Sequence, residues 1–385
     1  MKNRKTAILI AACMGISVLS GCGGEEGKIY KQAEKDLEQG TYQYALEGFE
    51  TAVSNGTKLP HSYRGAGIAC LRLGKYDAAA EYFSNALGCE NLGKNLKKDL
   101  YAYRATAYMK AGALEDAMAD CQTLAEDYSM DAELYFLTGN VALEMDSYEE
   151  AATNFENAYA DDATYDMAIR IYETYVKKDM EADGTRYLEA ALTTEPEDAQ
   201  DRCDRGRAYY YMDDYENARK ELIEASNDGN TQALLLLGMV YTAQKDISNA
   251  RAMYQEYIDK SEDDARGYNG LALCDISEKD YDSALEHIAS GISQADTEEI
   301  QSLLFNEMVV YEKKLDFSTA LTKAREYLEM FPEDKAARKE KVFLESRVAD
   351  ASGAAAEETA AAEGADLDGS AGEPESGQVQ EETVQ

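Results

Sequence analysis

Tyr76-Asp77-Ala78-Ala79-Ala80-Glu81-Tyr82-Phe83-Ser84-Asn85-Ala86 is the stretch that decides the fold. Tyr76, Ala79, Phe83 and Ala86 fall at i, i+3, i+7 and i+10, which is one face of an α-helix. Ala79 is small enough to let a neighbouring helix come close, and Phe83 fills the space beside it. The spacing recurs upstream at Tyr42, Ala45, Phe49 and Ala52. Downstream it continues with Leu114, Ala117, Cys121, Leu124 and with Tyr148, Ala151, Phe155, Ala158. A weaker fifth copy has Glu181, Gly184, Leu188 and Ala191. Four more follow: Tyr215, Ala218, Leu222, Ala225; Ile247, Ala250, Tyr254, Tyr257; Tyr281, Ala284, Ile288, Gly291; and Phe317, Ala320, Ala324, Tyr327. The Ala/Gly positions are separated by 34, 38, 34, 33, 34, 32, 34 and 36 residues.

Each copy is preceded by another helical stretch with its own small residue: Gly67, Ala105, Gly139, Gly206, Gly238 or Ala272. Short turns such as Leu73-Gly74-Lys75 and Met212-Asp213-Asp214 join the two helices. Pro196 and Pro332 stand where a second helix should stop. The unit is therefore a helix pair, repeated nine times between about residues 28 and 333.

A period near 34 with this pattern resembles the tetratricopeptide repeat (TPR) family. The resemblance implies an all-α fold, a right-handed superhelical solenoid of about nine helix pairs, with a concave face lined by the first helix of each pair. Departures are local. Leu114 and Ile247 replace the usual aromatic, and Glu181 does so in the fifth copy, where Tyr172 also occupies a normally small site. The extra length before the third copy is expected within 88–99 as a longer connection. Such an array needs a polar closing helix. Residues 334–349 supply one, with Ala336, Val342 and Leu344 expected on its apolar side.

The two ends differ from the middle. Lys2, Arg4 and Lys5 precede the uncharged run Thr6 to Leu19, which is too short for a span of about 20 residues and reads as a secretory signal. Its end, Leu19-Ser20-Gly21-Cys22, resembles the bacterial lipoprotein box. That resemblance implies cleavage after Gly21, a lipidated Cys22 and a short linker over 22–27. The folded part would then sit outside the cytoplasm in the bacterial cell envelope, held to the membrane by lipid. After Arg347 there is no base, and residues 348–385 hold 10 acids among many Ala, Gly and Ser. From residue 350 onward this reads as a disordered acidic tail.

Composition sets the exclusions. The 385 residues carry a net charge of −37, and losing the three leader bases takes it to −40. Such a chain lacks the basic surface that DNA or RNA phosphates require, so no nucleic-acid partner is expected. Four prolines suit long helices, and 45 % apolar residues suffice for a core. Two histidines, His61 and His287, are too far apart in repeat order for a metal site, and no cofactor motif appears. Asp179 to Gly184 echoes the start of a calcium loop, but Ala190 stands where its last ligand belongs and the segment matches a repeat turn. Outside Cys13 and Cys22 there are five cysteines without CxxC spacing. Cys70, Cys121 and Cys274 are expected in helix packing, and Cys70 and Cys89, expected on the paired helices of one repeat, leave a disulfide after export open. No catalytic set is visible, so the chain reads as a non-enzyme.

The TPR resemblance places the working surface on the first helices. Matching residue by residue, the groove candidates are Arg64, Ile68 and Arg72, then Met109 and Lys110, then Phe136 and Asn140, and finally Arg207, Tyr210 and Tyr211. Arg and Tyr are favoured anchors in interfaces. Cations on an acidic chain suit pairing with a partner's carboxylate. The plainer reading is that they balance local acids, as Asp201, Asp204 and Arg205 suggest. The expected function is a membrane-anchored scaffold that binds protein or peptide partners. A glycan- or solute-binding groove using the tyrosines is the alternative.

Overall fold

The computed structural model describes residues 25–261, 264–294, 299–332 and 334–349. The expected signal, the lipidated Cys22 and the tail over 350–385 lie outside the described residues. Every regular element among the described residues is an α-helix. The chain divides at Glu195/Pro196 into two compact units.

Unit 1 holds five helix pairs. They are α1 (Glu25–Glu38) with α2 (Tyr42–Ser54), α3 (Leu59–Arg72) with α4 (Tyr76–Leu87), and α5 (Lys94–Ala111) with α6 (Leu114–Asp127). Next come α7 (Ala132–Glu144) with α8 (Tyr148–Asp161), and α9 (Tyr165–Val176) with α10 (Glu181–Ala191). Unit 2 holds four pairs and a closing helix. They are α11 (Ala199–Tyr211) with α12 (Tyr215–Asn227), α13 (Gln232–Ala243) with α14 (Ile247–Lys260), α15 (Ala265–Glu278) with α16 (Tyr281–Gln294), and α17 (Glu299–Lys313) with α18 (Phe317–Met330). Helix α19 covers 335–349. Each second helix starts at the first residue of the repeated pattern.

In four of the pairs a glycine of the first helix meets the large residue of its second helix. A Cβ on Gly67 would stand 2.5 Å from Phe83, and one on Gly139 would stand 2.7 Å from Phe155. Gly206 is pressed in the same way by Leu222, and Gly238 by Tyr254. Some of these side chains are clamped from both sides. Phe49 also fills the space at Gly65 of the next first helix, and Tyr254 that at Gly270. Phe49, Phe83, Phe155, Leu222 and Tyr254 are all buried. Neighbouring pairs thereby share each large side chain, which is why a single pair cannot bury its own face.

The fifth pair solves the problem of Tyr172 by exchanging sizes. Tyr172 is buried, and the small partner sits across from it on the second helix: a Cβ on Gly184 would lie 2.9 Å from the Tyr172 Cα. The tyrosine hydroxyl donates to Glu181 Oε1 at 3.1 Å. The calcium-like stretch is thus the turn and first residues of α10.

The turn inside each pair has one left-handed residue. These are Gly40, Gly74, Gly112, Asp146, Asp179, Asp213, Lys245, Lys279 and Leu315, and their spacing repeats that of the Ala/Gly register. The residue that follows closes the first helix by a long backbone bond, as Lys75 N does to Cys70 O at 2.8 Å and Ser147 N to Ala142 O at 2.8 Å. Asp214, Asp246 and Asp316 then cap the second helix by accepting from the backbone N–H three residues on.

Four sequence expectations need correction. Helix α1 begins at Glu25, inside the expected linker. The extra residues before the third pair are split between the connection 88–93 and an 18-residue α5, because Lys94 to Leu100 continues the helix. Cys89 follows the end of α4 rather than lying on it, and both it and Cys70 are free thiols. In α19 the buried residues are Ala337 and Leu344, with Val348 packed beside them, while Val342 is 67 % exposed. Positions 337, 344 and 348 share a helical face that 336 and 342 do not.

Two substitutions test this packing. Gly238→Ala drives a Cβ into the buried Tyr254 ring and is expected to cost about 1–3 kcal/mol in urea unfolding. Gly27→Ala in α1, where a Cβ meets nothing within 4 Å, should be neutral or stabilising by up to about 1 kcal/mol. Leu315 is 73 % exposed at φ 61°. Leu315→Gly should stabilise by about 0.5–1 kcal/mol, the left-handed penalty of about 1–2 less the chain entropy Gly adds.

Candidate functional site

First helices contact one another directly along each unit: α1, α3, α5 and α7 in unit 1, and α11, α13, α15 and α17 in unit 2. The side chains on these helices that are not used in pair packing form the candidate binding faces.

In unit 1 that face is a series of ion pairs between successive first helices. Arg64 Nε donates to Asp99 Oδ2 at 2.5 Å, and its guanidinium lies 5.2 Å from the Tyr103 ring centre. Lys98 Nζ reaches Asp131 Oδ2 at 2.6 Å. Arg170 binds Glu133 through two parallel bonds of 2.6 and 2.7 Å and lies 4.3 Å over Phe136. The Arg170 hydrogen bond holds the Glu133 carboxyl below the usual carboxylate range. A cavity of 580 Å³ opens between α5 and α7, lined by Asn95, Lys98, Asp99, Asp131 and Glu133 among others.

The sequence-selected residues therefore separate by role. Arg64 serves Asp99 of the next first helix, as the local-acid reading has it. Ile68 packs on the core of the first pairs. Phe136 is covered by Arg170 and packs at a tilt against Phe155, ring centres 5.9 Å apart. Met109 and Asn140 are half-buried, and Arg72 and Lys110 are exposed near the ends of α3 and α5. In unit 2 Arg207 Nε donates to the Tyr211 hydroxyl at 3.3 Å. Tyr210 packs against the core of α11 to α13 and lies 5.8 Å from the Tyr211 ring. Burial raises its hydroxyl pKa.

Unit 2 also has a face that the sequence reading passed over. A cavity of 280 Å³ is lined by Leu235, Met239, Asn269, Leu273 and Ser302, together with Arg266 and Glu299. A second, of 380 Å³, shares Asn269, Leu273 and Ser302 and reaches Phe305 and Asn306. Leu235, Asn269 and Phe305 occupy the position of Arg64 and Phe136 in their own repeats, and Met239 and Leu273 that of Ile68 and Asn140. The register was sufficient to find them. Cationic character does not mark this face, whose lining is mainly apolar and amide beside Arg266 and Glu299.

Behind these faces lies a buried charge cluster. Asp275, 2 % exposed, accepts from Arg251 Nη1 at 2.7 Å and sits 2.6 Å from His287 Nδ1. His287 is therefore tied to an acid on the adjoining helix. Among the described residues no three His, Cys, Asp or Glu side chains are grouped to hold a metal. No described helix is long and apolar enough to cross a membrane.

The tetratricopeptide repeat family model matches residues 30–91 and 203–265, one stretch in each unit. Both of these stretches carry tetratricopeptide repeats. Solved structures with similarity to it include a tetratricopeptide repeat protein from Parabacteroides merdae, at 16 % identity and TM-score 0.42, covering 65 % of this chain and 98 % of that one. MamA from Desulfovibrio magneticus is 17 % identical at TM-score 0.38, covering 45 % and 96 %. The APC/C hetero-tetramer Cut9-Hcn1 includes a chain 12 % identical at TM-score 0.41, covering 85 % and 78 %.

The unit 1 ion pairs give a pH test. Glu133 is depressed when folded, so its contribution is present above the unfolded value of about 4.3 and is lost as pH falls through the folded value. Arg170→Ala should return the carboxyl toward about 4.3, read by NMR titration of its side chain. An unmoved Glu133 would show that Arg170 does not hold it in solution.

Proposed function

We propose that this chain is a lipid-anchored scaffold of the bacterial cell envelope that binds protein or peptide partners on its first-helix faces. The observation that carries the reading is the repeat array itself. Tetratricopeptide repeats are protein-interaction scaffolds, typically without enzymatic activity, and nine helix pairs supply extended rows of first helices. The leader ending in Leu19-Ser20-Gly21-Cys22 supports the anchor. Buried acyl chains contribute about 0.8 kcal/mol per CH₂, so two or three hold a folded domain firmly. A mature charge of −40 repels anionic headgroups, so the attachment has to come from the lipid. The glycan-binding alternative draws less support, because Tyr210 is committed to the core and Tyr211 to Arg207.

Cys22→Ser decides the anchor. The parent chain should incorporate labelled palmitate and sediment with membranes, and the variant should do neither. Labelling that survives in the variant would sink the proposal. In-cell cross-linking from the first helices should capture a protein partner of defined size, and capture that is no different from that of a cysteine placed on the second helices would count against the binding face.

A further inference from the structure

The two units use the polar groups of their first-helix faces differently. In unit 1 the acids and bases neutralise one another, Arg64 with Asp99, Lys98 with Asp131 and Arg170 with Glu133. A charged ligand there would have to displace an existing partner. In unit 2 the two adjoining cavities form one groove along α13, α15 and α17. Its apolar lining comes from Leu235, Met239, Leu273 and Phe305, and Leu273 is 37 % exposed. Phe305 is fixed from behind by Tyr327, ring centres 5.8 Å apart and edge to face.

The polar lining of this groove includes two amides, Asn269 and Asn306, beside the Ser302 hydroxyl. Asn306 Nδ2 donates to Asn269 Oδ1 at 2.7 Å. A carboxamide offers two N–H donors and one oxygen acceptor. Both donors of Asn269 and the oxygen of Asn306 therefore remain for a ligand. A donor and an acceptor side by side match the N–H and C=O of an extended backbone. The charged groups at the rim are already engaged. Arg266 binds Asp264 at 2.6 Å and Glu299 at 3.3 Å, and Asp334 accepts from the Tyr327 hydroxyl at 2.6 Å and caps α19 at the Ala337 N–H.

We propose that the groove on α13, α15 and α17 takes an extended peptide segment with apolar, uncharged side chains, its backbone held by the carboxamides of Asn269 and Asn306. The inference rests on the protein-binding reading and gives it a place and a chemistry. Charge selects the same class. An acidic segment is opposed by a chain of net charge −37, and a basic one finds the groove carboxylates already hydrogen-bonded within the chain, Glu299 to Arg266 and Asp334 to the Tyr327 hydroxyl and the Ala337 N–H. An uncharged segment loses no ionic hydration and covers Leu273 and Met239 from water.

The test pans a phage-displayed library of random dodecapeptides against the full-length chain and measures selected peptides by fluorescence polarisation. Uncharged, apolar sequences should be enriched. Leu273→Glu should weaken them by at least about tenfold. Asn269→Ala and Asn306→Ala should each weaken them several-fold, and Arg64→Ala should leave them unchanged. Helical circular dichroism confirms folding, and Ser302→Lys, at an exposed rim position, supplies a second blocking variant. Enrichment of acidic or basic peptides, binding indifferent to both blocking variants, or no selected peptide at all would overturn the assignment. So would a gain of about tenfold on deleting 350–385, which would make the chain's own tail the occupant. A dimer that Leu273→Glu converts to monomer would instead make a second copy the occupant and overturn it equally. A partner cross-linked only to unit 1 would defeat this inference while leaving the scaffold reading intact.

Discussion

Everything in the two units depends on one steric contact, a large side chain of a second helix seated where a first helix has no room for a side chain. Phe83 against Gly67, Phe155 against Gly139, Leu222 against Gly206 and Tyr254 against Gly238 are the same contact, always sixteen residues apart. The contact sets how closely two helices approach, and the connecting turn has to deliver that approach. It does so with one left-handed residue per pair, in the same register. Because Phe49 and Tyr254 also fill the next first helix, the contact propagates from pair to pair. Burial of each large ring is therefore conditional on its neighbour, which is the physical basis of nearest-neighbour stability.

The register was legible from the sequence because the contact needs particular sizes at fixed spacing. Ala45 through Ala320 give the second helices their positions, and the structure starts each helix where that pattern starts. Tyr172 seemed to break the rule when only its own helix was considered. The relevant quantity is the summed size of the two opposed positions, and Gly184 restores it. The turns were less legible. Asp, Lys and Leu adopt the left-handed conformation at six of the nine positions, so no glycine marks them. Their backbone is dictated by the helices on either side. The closing helix was misread for another reason: alternating apolar residues at 336, 342 and 344 suggest a face, but only 337, 344 and 348 align at helical spacing.

The candidate site was less legible than the fold. The TPR pattern makes Arg64 a groove candidate, and net charge adds weight to it as a rare cation. A cation on a strongly acidic chain has many possible internal partners, and Asp99 is one turn of the register away. The residues that set the groove in unit 2 apart, Leu235, Asn269, Leu273 and Phe305, carry no charge and look like ordinary helix composition. Their signal is positional: each repeats the location of Arg64 or Ile68 in the register of its own helix, counted from Gly238, Ala272 or, in α17, Met308. Reading position before residue type would have found Leu235, Asn269, Leu273 and Phe305.

Stability and recognition are thus assigned to different positions of the same helix. The small residue and its large partner are fixed by packing and leave little freedom. Positions three before and one after it lie outside that contact, so their chemistry varies between repeats even where, as at Ile68, Phe136 and Phe305, they also pack on neighbouring side chains. In unit 1 they take part in cross-helix ion pairs, and Arg170 closes over Phe136. In unit 2 they hold Leu235 with Met239 and Asn269 with Leu273. A scaffold of this kind can change what it binds without changing how it folds, because a substitution at these positions leaves every sixteen-residue contact in place. The acidity of the chain then acts as a background that disfavours acidic ligands, while the local amides and apolar side chains determine which uncharged segment fits.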